Sequence, residues 1–285
     1  MSTSTLTLRK RKIDAGRWFR IIAGVAICLG FLLPVLWMIS TSFKLPTDIF
    51  TTPPKIFSTF TMDNYTSYMQ QADIGRRMLN TVIVAIGAGV LSLTLGTMAG
   101  YALSRLNIKG GATIGVLILA SRGVPPIALA VPMFLVARNL GITDMHITLI
   151  LAYCTFLIPY VMWLMRSFFA ALPKELEESA MLDGASRLAT FFRIIVPISM
   201  PGIVSTLIFS IILAWEELLF ALILTNRNAA TIPVAIAGMA ADTENGAMWG
   251  ALTAVGTLTV IPVVIFALMV QKHLINGLAE GATKG

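Results

Sequence analysis

Three charged side chains lie inside long apolar runs of the sequence and are the first candidates for chemistry. Glu216 and Glu217 interrupt a run that extends from residue 194 to about residue 224, and Arg122 interrupts the run at 110–137. In a segment that crosses a bilayer, a charged group costs about 2.5–3.5 kcal/mol on insertion scales and usually faces a polar cavity. These residues are therefore candidates for a polar pathway. The alternative is that the two glutamates reach the outer membrane interface.

Helical periodicity separates the two glutamates, because neighbouring residues of a helix point about 100° apart. Glu217 shares one face with small or polar residues, namely Thr206, Ser210, Ala214, Ala221 and Thr225. Glu216 shares its face with large apolar residues, namely Phe209, Leu213, Phe220 and Ile223. On a continuous helix, Glu217 and Ser210 are thus the better candidates for the interior of a helix bundle.

Arg122 stands directly before a cluster of helix-breaking residues, Gly123, Pro125 and Pro126. Proline lacks the backbone N–H that a helix interior needs, so the helix is predicted to break there. Beside such a break, the guanidinium of Arg122 has two predicted roles: it lines the pathway, or it forms an ion pair with Glu217. Counted along the helices from their inner ends, Arg122 lies closer to the cytoplasmic side than Glu217 does. This difference in depth disfavours a direct ion pair.

The elements that must position these residues are membrane-spanning helices. The 285 residues are 56% hydrophobic and only 12% charged, and the mean hydropathy is +0.83. These values exclude a water-soluble globule and a disordered chain. Runs of about 20 apolar residues are long enough to span. We predict one all-α membrane domain covering residues 1–285, with six spans at 18–41, 78–104, 111–137, 147–167, 198–224 and 247–271.

The distribution of Lys and Arg predicts the orientation of the chain. With the N-terminus inside, 14 of the 21 basic residues fall in inner segments and six in outer segments, as expected for cytoplasmic loops. A net charge of +7 would also suit a nucleic-acid partner, but the basic cluster at 9–12 is better explained as a topology anchor. We therefore predict a multi-pass membrane protein with both termini cytoplasmic, lipid around it and no nucleic-acid partner.

The most informative loop is the charged segment 173–197, between the fourth and fifth predicted spans. Pro173 suits the first turn of a helix, where its missing N–H is not needed. Glutamates 175, 177 and 178 follow, and acidic groups in a first turn complement the helix dipole. Asp183 and Gly184 form a turn signal in the middle. The segment predicts two short helices around a tight bend, and a helix lying on the membrane surface is the alternative.

This loop resembles the EAA motif in permease subunits of binding-protein-dependent ABC importers. That motif reads Glu-Ala-Ala, three residues, Gly, nine residues, then Ile, any residue, Leu and Pro. Residues 178–180, Gly184 and residues 194–197 match its spacing, with Ser179 in place of Ala and Val196 in place of Leu. Further segments are similar to the second permease subunits of maltose transporters, in the sugar and polyol branch of the family: 33–44, 63–65, 214–225 and 275–285.

The resemblance implies a type I ABC importer permease fold with six transmembrane helices and a coupling helix in the loop 173–193. It implies a heterodimer with a second permease subunit, two ATPase subunits that bind ATP and Mg²⁺, and an external solute-binding protein. The implied ATPase-coupling residues are Glu178, Ser179, Ala180, Asp183, Gly184, Ile194 and Pro197. The implied function is half of a translocation pathway for a carbohydrate or polyol. At the position of Glu216 the family commonly has Asn, so this chain departs from it there.

Other chemistries find little support in the sequence. The phosphate-binding pattern G-x-x-x-x-G-K-[ST] does not occur, so this chain is not expected to be an enzyme or to bind a cofactor. His146 and His273 lie far apart, and no metal-ligand cluster is predicted. A secondary transporter would need an internal repeat, which the sequence does not display. That alternative, like a non-transporting membrane assembly subunit, leaves the spacing of the motif unexplained.

Overall fold

The computed structural model describes residues 15–56, 58–66, 73–241 and 248–282, and every regular element within them is a helix. The basic cluster at 9–12 lies outside the described residues. Numbered in chain order, the helices are α1 (Ala15–Ser42), α2 (Pro46–Ile49), α3 (Ile74–Arg105), α4 (Gly111–Ala120), α5 (Pro126–Asn139), α6 (His146–Ala171), α7 (Glu175–Leu182), α8 (Arg187–Ile198), α9 (Met200–Trp215), α10 (Leu219–Leu224), α11 (Ile232–Ala241) and α12 (Met248–Ala282).

Four of these helices, α1, α3, α6 and α12, are long and apolar enough to cross a membrane. Two bent pairs raise the number of candidate spans in the described residues to six, α4 with α5 at 90° and α8 with α9 at 77°. The chain is thus an all-α membrane protein, as the composition predicted. Helix α3 begins four residues before the predicted span, and α6 extends four residues past its predicted end.

The third predicted span is broken where its glycine and proline residues predicted. Helix α4 ends at Ala120 and a 3-10 turn covers Ser121–Gly123. Val124 and Pro125 are extended, with ψ of 123° and 131°. Each precedes a proline, and the ring of a proline disfavours the helical conformation at the residue before it. The path of the chain therefore turns by 90° before α5.

The fifth predicted span, 198–224, is not the one continuous helix that the periodicity argument assumed. Helix α9 ends at Trp215, residues 216–218 are not helical, and α10 begins at Leu219. No proline or glycine marks this break, so helical periodicity was extended across it. The face assigned to Glu217 therefore does not continue from α9.

The core of the bundle is the pair α3 and α6, which approach closely because small residues line α3. A β-carbon on Gly100 would lie 2.8 Å from the carbonyl oxygen of Met162 and 2.9 Å from the backbone nitrogen of Arg166. Small residues permit such close approach of helix backbones in a membrane. This contact fixes α6 against α3, and the loop 173–193 leaves from the end of α6.

Two elements lie at the margins of this core. Helix α1 packs along α12, and its apolar surface is otherwise exposed in the single chain. Helix α11 has ten residues, which is too short to span. It packs on α3 and α12 through Ile232, Ala235 and Met239.

Candidate functional site

The loop between α6 and α8 turns at Gly184. The N–H of Gly184 donates to the carbonyl of Met181 at 3.1 Å, and the N–H of Ala185 donates to that of Ala180 at 3.0 Å. These two bonds form a Schellman motif, which ends a helix with a residue of positive φ. Gly184 has φ of +87°, a conformation that costs other residues about 1–2 kcal/mol. The turn predicted at Asp183 and Gly184 is confirmed.

The second half of the loop starts at a capped helix end. Ser186 precedes α8, and its hydroxyl accepts the N–H of Ala189 at 3.3 Å. The middle of α8, Phe191–Ile195, is wound as a π helix. Such turns are rare and occur frequently at functional sites. The two short helices predicted around the bend are α7 and α8.

The residues of the motif differ in exposure. Four of them, Glu178, Ser179, Asp183 and Gly184, are exposed on α7 and the turn, and Pro197 is exposed near the end of α8. Ala180 is buried and Ile194 is half-buried. Two leucines beside the turn are exposed as well, Leu182 at 88% and Leu188 at 67%. We call Glu178, Leu182, Asp183, Gly184 and Leu188 the loop surface.

A buried ion pair attaches α7 to the core, and sequence reasoning missed it. Glu177 is buried, and its Oε1 lies 2.8 Å from Nε of Arg105 at the end of α3. Arg105 also donates from its guanidinium to the carbonyl of Leu172 at 2.7 Å. The hydroxyl of Tyr101 donates to the other oxygen of Glu177 at 3.2 Å. The position of the loop surface therefore depends on α3.

Tyr101 joins this ion pair to an aromatic cluster. Its ring lies 4.6 Å from that of Phe191 in α8 and 5.6 Å from that of Phe169 in α6, between centroids. Both phenylalanines are buried. Residues of α3, α6, α7 and α8 therefore meet at this group, which connects the loop to the packed helices.

Glu217 has a structural partner that the periodicity did not predict. Its carboxylate accepts the backbone N–H groups of Phe220 at 3.0 Å and of Ala221 at 3.3 Å, in the first turn of α10. The first N–H groups of a helix have no partner within the helix, and a carboxylate there satisfies them. The carboxylate of Glu217 is thus engaged by α10, and its place in the pathway stays a prediction.

Glu216 is the exposed member of the pair and borders an open cavity of about 360 Å³. Within the described residues its carboxylate has no hydrogen bond or ion pair. The rest of the lining is mostly apolar and comes from the break, α11 and α12: Trp215, Leu218, Pro233, Ile236, Ala237, Thr259, Val260 and Val263. Trp215 Nε1–H is buried and has no acceptor. The cavity is thus bordered by one carboxylate, that of Glu216.

The other two predicted pathway residues lie elsewhere. Ser210 is fully buried, and its hydroxyl donates to the carbonyl of Thr206 at 2.8 Å, so it packs inside this chain and lines no open cavity. Arg122 is exposed, and its guanidinium lies 5.2 Å from the ring centroid of Tyr160. Neither ion pair of the described residues joins Arg122 to Glu217. Across the same residues, no three His, Cys, Asp or Glu side chains are grouped to hold a metal ion.

Comparison with known proteins places these features in a family. Residues 92–280 match the family of binding-protein-dependent transport system inner membrane components. The chain is 37% identical over 256 residues to the trehalose transport system permease protein SugB of Mycobacterium tuberculosis, covering 89% of this chain and 93% of that protein. It is 34% identical over 268 residues to the trehalose/maltose transport system permease protein MalG of Thermococcus litoralis, covering 93% and 96%.

A solved structure has the same fold. It is a bacterial ABC transporter involved in the import of the acidic polysaccharide alginate, and one of its chains aligns with a TM-score of 0.73 at 22% identity. The alignment covers 93% of this chain and 99% of that chain. The family match, the two permease relatives and the shared fold agree with the motif in the loop 173–193. The chain belongs to the family of binding-protein-dependent transport system inner membrane components, the permease subunits of ABC importers.

Proposed function

We propose that this chain forms half of the translocation pathway of an ATP-driven importer for a carbohydrate or polyol. The relatives named above transport trehalose or maltose, which supports this class of cargo. A second permease subunit would supply the other half, and a solute-binding protein would deliver the cargo. Lipid or the second permease subunit would cover the exposed apolar surface of α1.

The observation that carries this proposal is the loop surface. It presents two carboxylates and two exposed leucines around a turn whose positive φ favours glycine. An exposed leucine such as Leu182 is poorly placed in water and suits the surface of a soluble partner. That partner is an ATPase subunit, which binds ATP and Mg²⁺, so this chain needs no catalytic group or cofactor of its own.

The proposal is tested by reconstitution. Proteoliposomes that contain this chain, its partner permease and the ATPase, supplied with the binding protein and ATP, should accumulate labelled trehalose or maltose. A secondary transporter would accumulate cargo without the ATPase, and an assembly subunit would be dispensable once the complex has formed. Uptake that persists in vesicles lacking ATP would refute the proposal.

We propose a cytoplasmic position for the loop surface and for both termini, on the basis of the excess of Lys and Arg in those segments. Single cysteines at the exposed positions Lys55 and Arg187 test this orientation. Cys28 is exposed and is replaced by Ser first, whereas Cys154 is buried and stays. In intact spheroplasts, an impermeant maleimide should label position 55 and not position 187. The reverse pattern would invert the topology.

We further propose that Glu216 is the carboxylate of the transport path, because it borders the open cavity. Glu216→Gln should lower the uptake rate about tenfold, because the cargo would lose a hydrogen bond to a charged carboxylate. Losing such a bond costs about 1.5–3 kcal/mol. Glu217→Gln should instead lower the thermal stability of the complex, because a lost helix cap costs about 0.5–2 kcal/mol. The two substitutions remove the same charge at adjacent positions, so each is the control of the other. Normal uptake by Glu216→Gln would remove the cavity from the path.

A further inference from the structure

A single carboxylate holds the connection between α10 and α11. Asp144 lies in the turn between α5 and α6, and both of its oxygens accept backbone N–H groups. Oδ1 accepts from Asn226 at 3.0 Å and from Ala229 at 3.0 Å. Oδ2 accepts from Arg227 at 3.1 Å and from Asn228 at 2.8 Å. Four consecutive amides therefore converge on one side chain from another part of the chain.

The charged form of Asp144 is favoured by this arrangement. Burial on its own favours the neutral acid, but the four N–H donors outweigh it and hold the pKa of Asp144 below its usual value. Asp144 also has φ of +60°, a conformation that only glycine, asparagine and aspartate adopt readily. Its own N–H donates to the carbonyl of Leu224 at 3.1 Å. The backbone of the turn is thus bent to present the carboxylate.

Helix α3 holds the other side of the same connection. Nδ2 of Asn80 donates to the carbonyls of Asn228 and Ala230, each at 2.9 Å. Because the amide nitrogen is used by these carbonyls, Oδ1 of Asn80 is left to accept, and it lies 2.7 Å from Nε2 of His146. His146 therefore carries a proton on Nε2. We call Asp144, Asn80 and His146 the clamp.

The clamp leads directly into α11, which forms one wall of the cavity at Glu216. Its first residue, Ile232, donates its N–H to the hydroxyl of Thr81 in α3 at 2.9 Å. Pro233, Ile236 and Ala237 of α11 line the cavity. A helix of ten residues is too short to cross the membrane. Its position is therefore not fixed by anchoring its two ends at the two membrane surfaces. The connection before it, which the clamp holds, therefore positions this wall together with the packing of α11 on α3 and α12.

We propose that Asp144 is a positioning residue for transport, which holds α11 as a wall of the Glu216 cavity and so sets access to that cavity. The proposal rests on the proposed function for its role in transport, but the position of α11 can be measured without transport. The carboxylate acts only through the backbone amides that it binds. Removing its charge should therefore loosen α11 and leave the loop surface intact.

The test measures the accessibility of the cavity wall in the assembled importer. Ala237→Cys is introduced together with Cys28→Ser, and the labelling rate with a charged methanethiosulfonate is compared with and without Asp144→Asn. Asparagine tolerates the positive φ but offers one acceptor oxygen in place of two. We expect labelling about tenfold faster, which corresponds to about 1.4 kcal/mol. Asp63→Asn, at an exposed aspartate in another loop, is the matched control and should leave the rate unchanged.

A second variant keeps the proposal testable if Asp144→Asn fails to assemble. Asn80→Asp removes the two donors to Asn228 and Ala230 and keeps an acceptor for His146, so it should also accelerate labelling. In both variants, KM for uptake of labelled trehalose or maltose should rise more than Vmax falls. Parental labelling rates in both would overturn the proposal, as would loss of assembly in both. Faster labelling with an unchanged KM would support the positioning of α11 by the clamp. It would contradict the role of the Glu216 cavity in the proposed function.

Discussion

Gly184→Leu should abolish uptake and prevent the ATPase from co-purifying, whereas Gly184→Asn should retain most of both. Gly184 has φ of +87°, which costs a residue with a β-carbon about 1–2 kcal/mol, less for asparagine. Apart from its two neighbours in sequence, no described residue has an atom within 4 Å of a β-carbon placed there. The leucine therefore acts by changing the turn and by occupying the loop surface. Uptake and ATPase stimulation by loaded binding protein are measured in proteoliposomes.

Gly110 provides the control for this experiment. It has φ of +75°, is exposed, and likewise has no atom within 4 Å of an added β-carbon. Gly110→Leu therefore imposes similar backbone strain in a loop away from the loop surface, and it should lower stability without blocking the ATPase. If Gly184→Leu and Gly110→Leu behave alike, the effect is strain alone. Normal uptake and full stimulation in Gly184→Leu would mean that the loop does not couple the subunits, as a helix lying on the membrane surface would predict.

Features coded by neighbouring residues could be predicted from the sequence. The turn at Gly184 follows from Asp-Gly after an acidic first turn, and the break before Pro126 follows from two consecutive prolines. The long apolar runs likewise predicted the spanning helices α1, α3, α6 and α12. In each case the physical cause lies within a few residues: a positive φ, a missing N–H, or a run of apolar side chains.

Features that depend on distant partners could not be predicted in this way. Glu177 and Glu178 are adjacent and chemically identical, and only the approach of Arg105, 72 positions earlier, makes one of them buried and leaves the other exposed. The residues around Asp144 give no signal for its role, because its four amide partners lie more than 80 positions later in the chain. The break after Trp215 has no local signal, so the periodicity argument for Glu217 and Ser210 was extended too far.

Among single changes in the loop 173–193, loss of Glu177 should lower the thermal stability of the complex most. Glu177→Leu leaves the guanidinium of Arg105 buried without its carboxylate, and breaking a buried pair in this way costs about 3–5 kcal/mol. The hydroxyl of Tyr101 loses its acceptor in the same step. We expect a large fall in the thermal stability of the complex and loss of uptake. Glu178→Leu, at the exposed neighbouring position, is the control and should leave thermal stability nearly unchanged while weakening ATPase docking.

The double variant Arg105→Met with Glu177→Leu separates stability from coupling. Replacing both members of a buried pair by apolar residues of similar size is often neutral or stabilising, so thermal stability should rise above that of Glu177→Leu. It should stay below that of the parent, because the hydroxyl of Tyr101 and the carbonyl of Leu172 still lack their partners. Coupling should not return, because Arg105 also holds the carbonyl of Leu172 at 2.7 Å, just before α7. ATPase stimulation by loaded binding protein should therefore stay low in a stable complex. Full ATPase stimulation in the double variant would show that the ion pair contributes only packing to coupling. The aromatic contacts of Tyr101 and Phe191 would then position α7 instead.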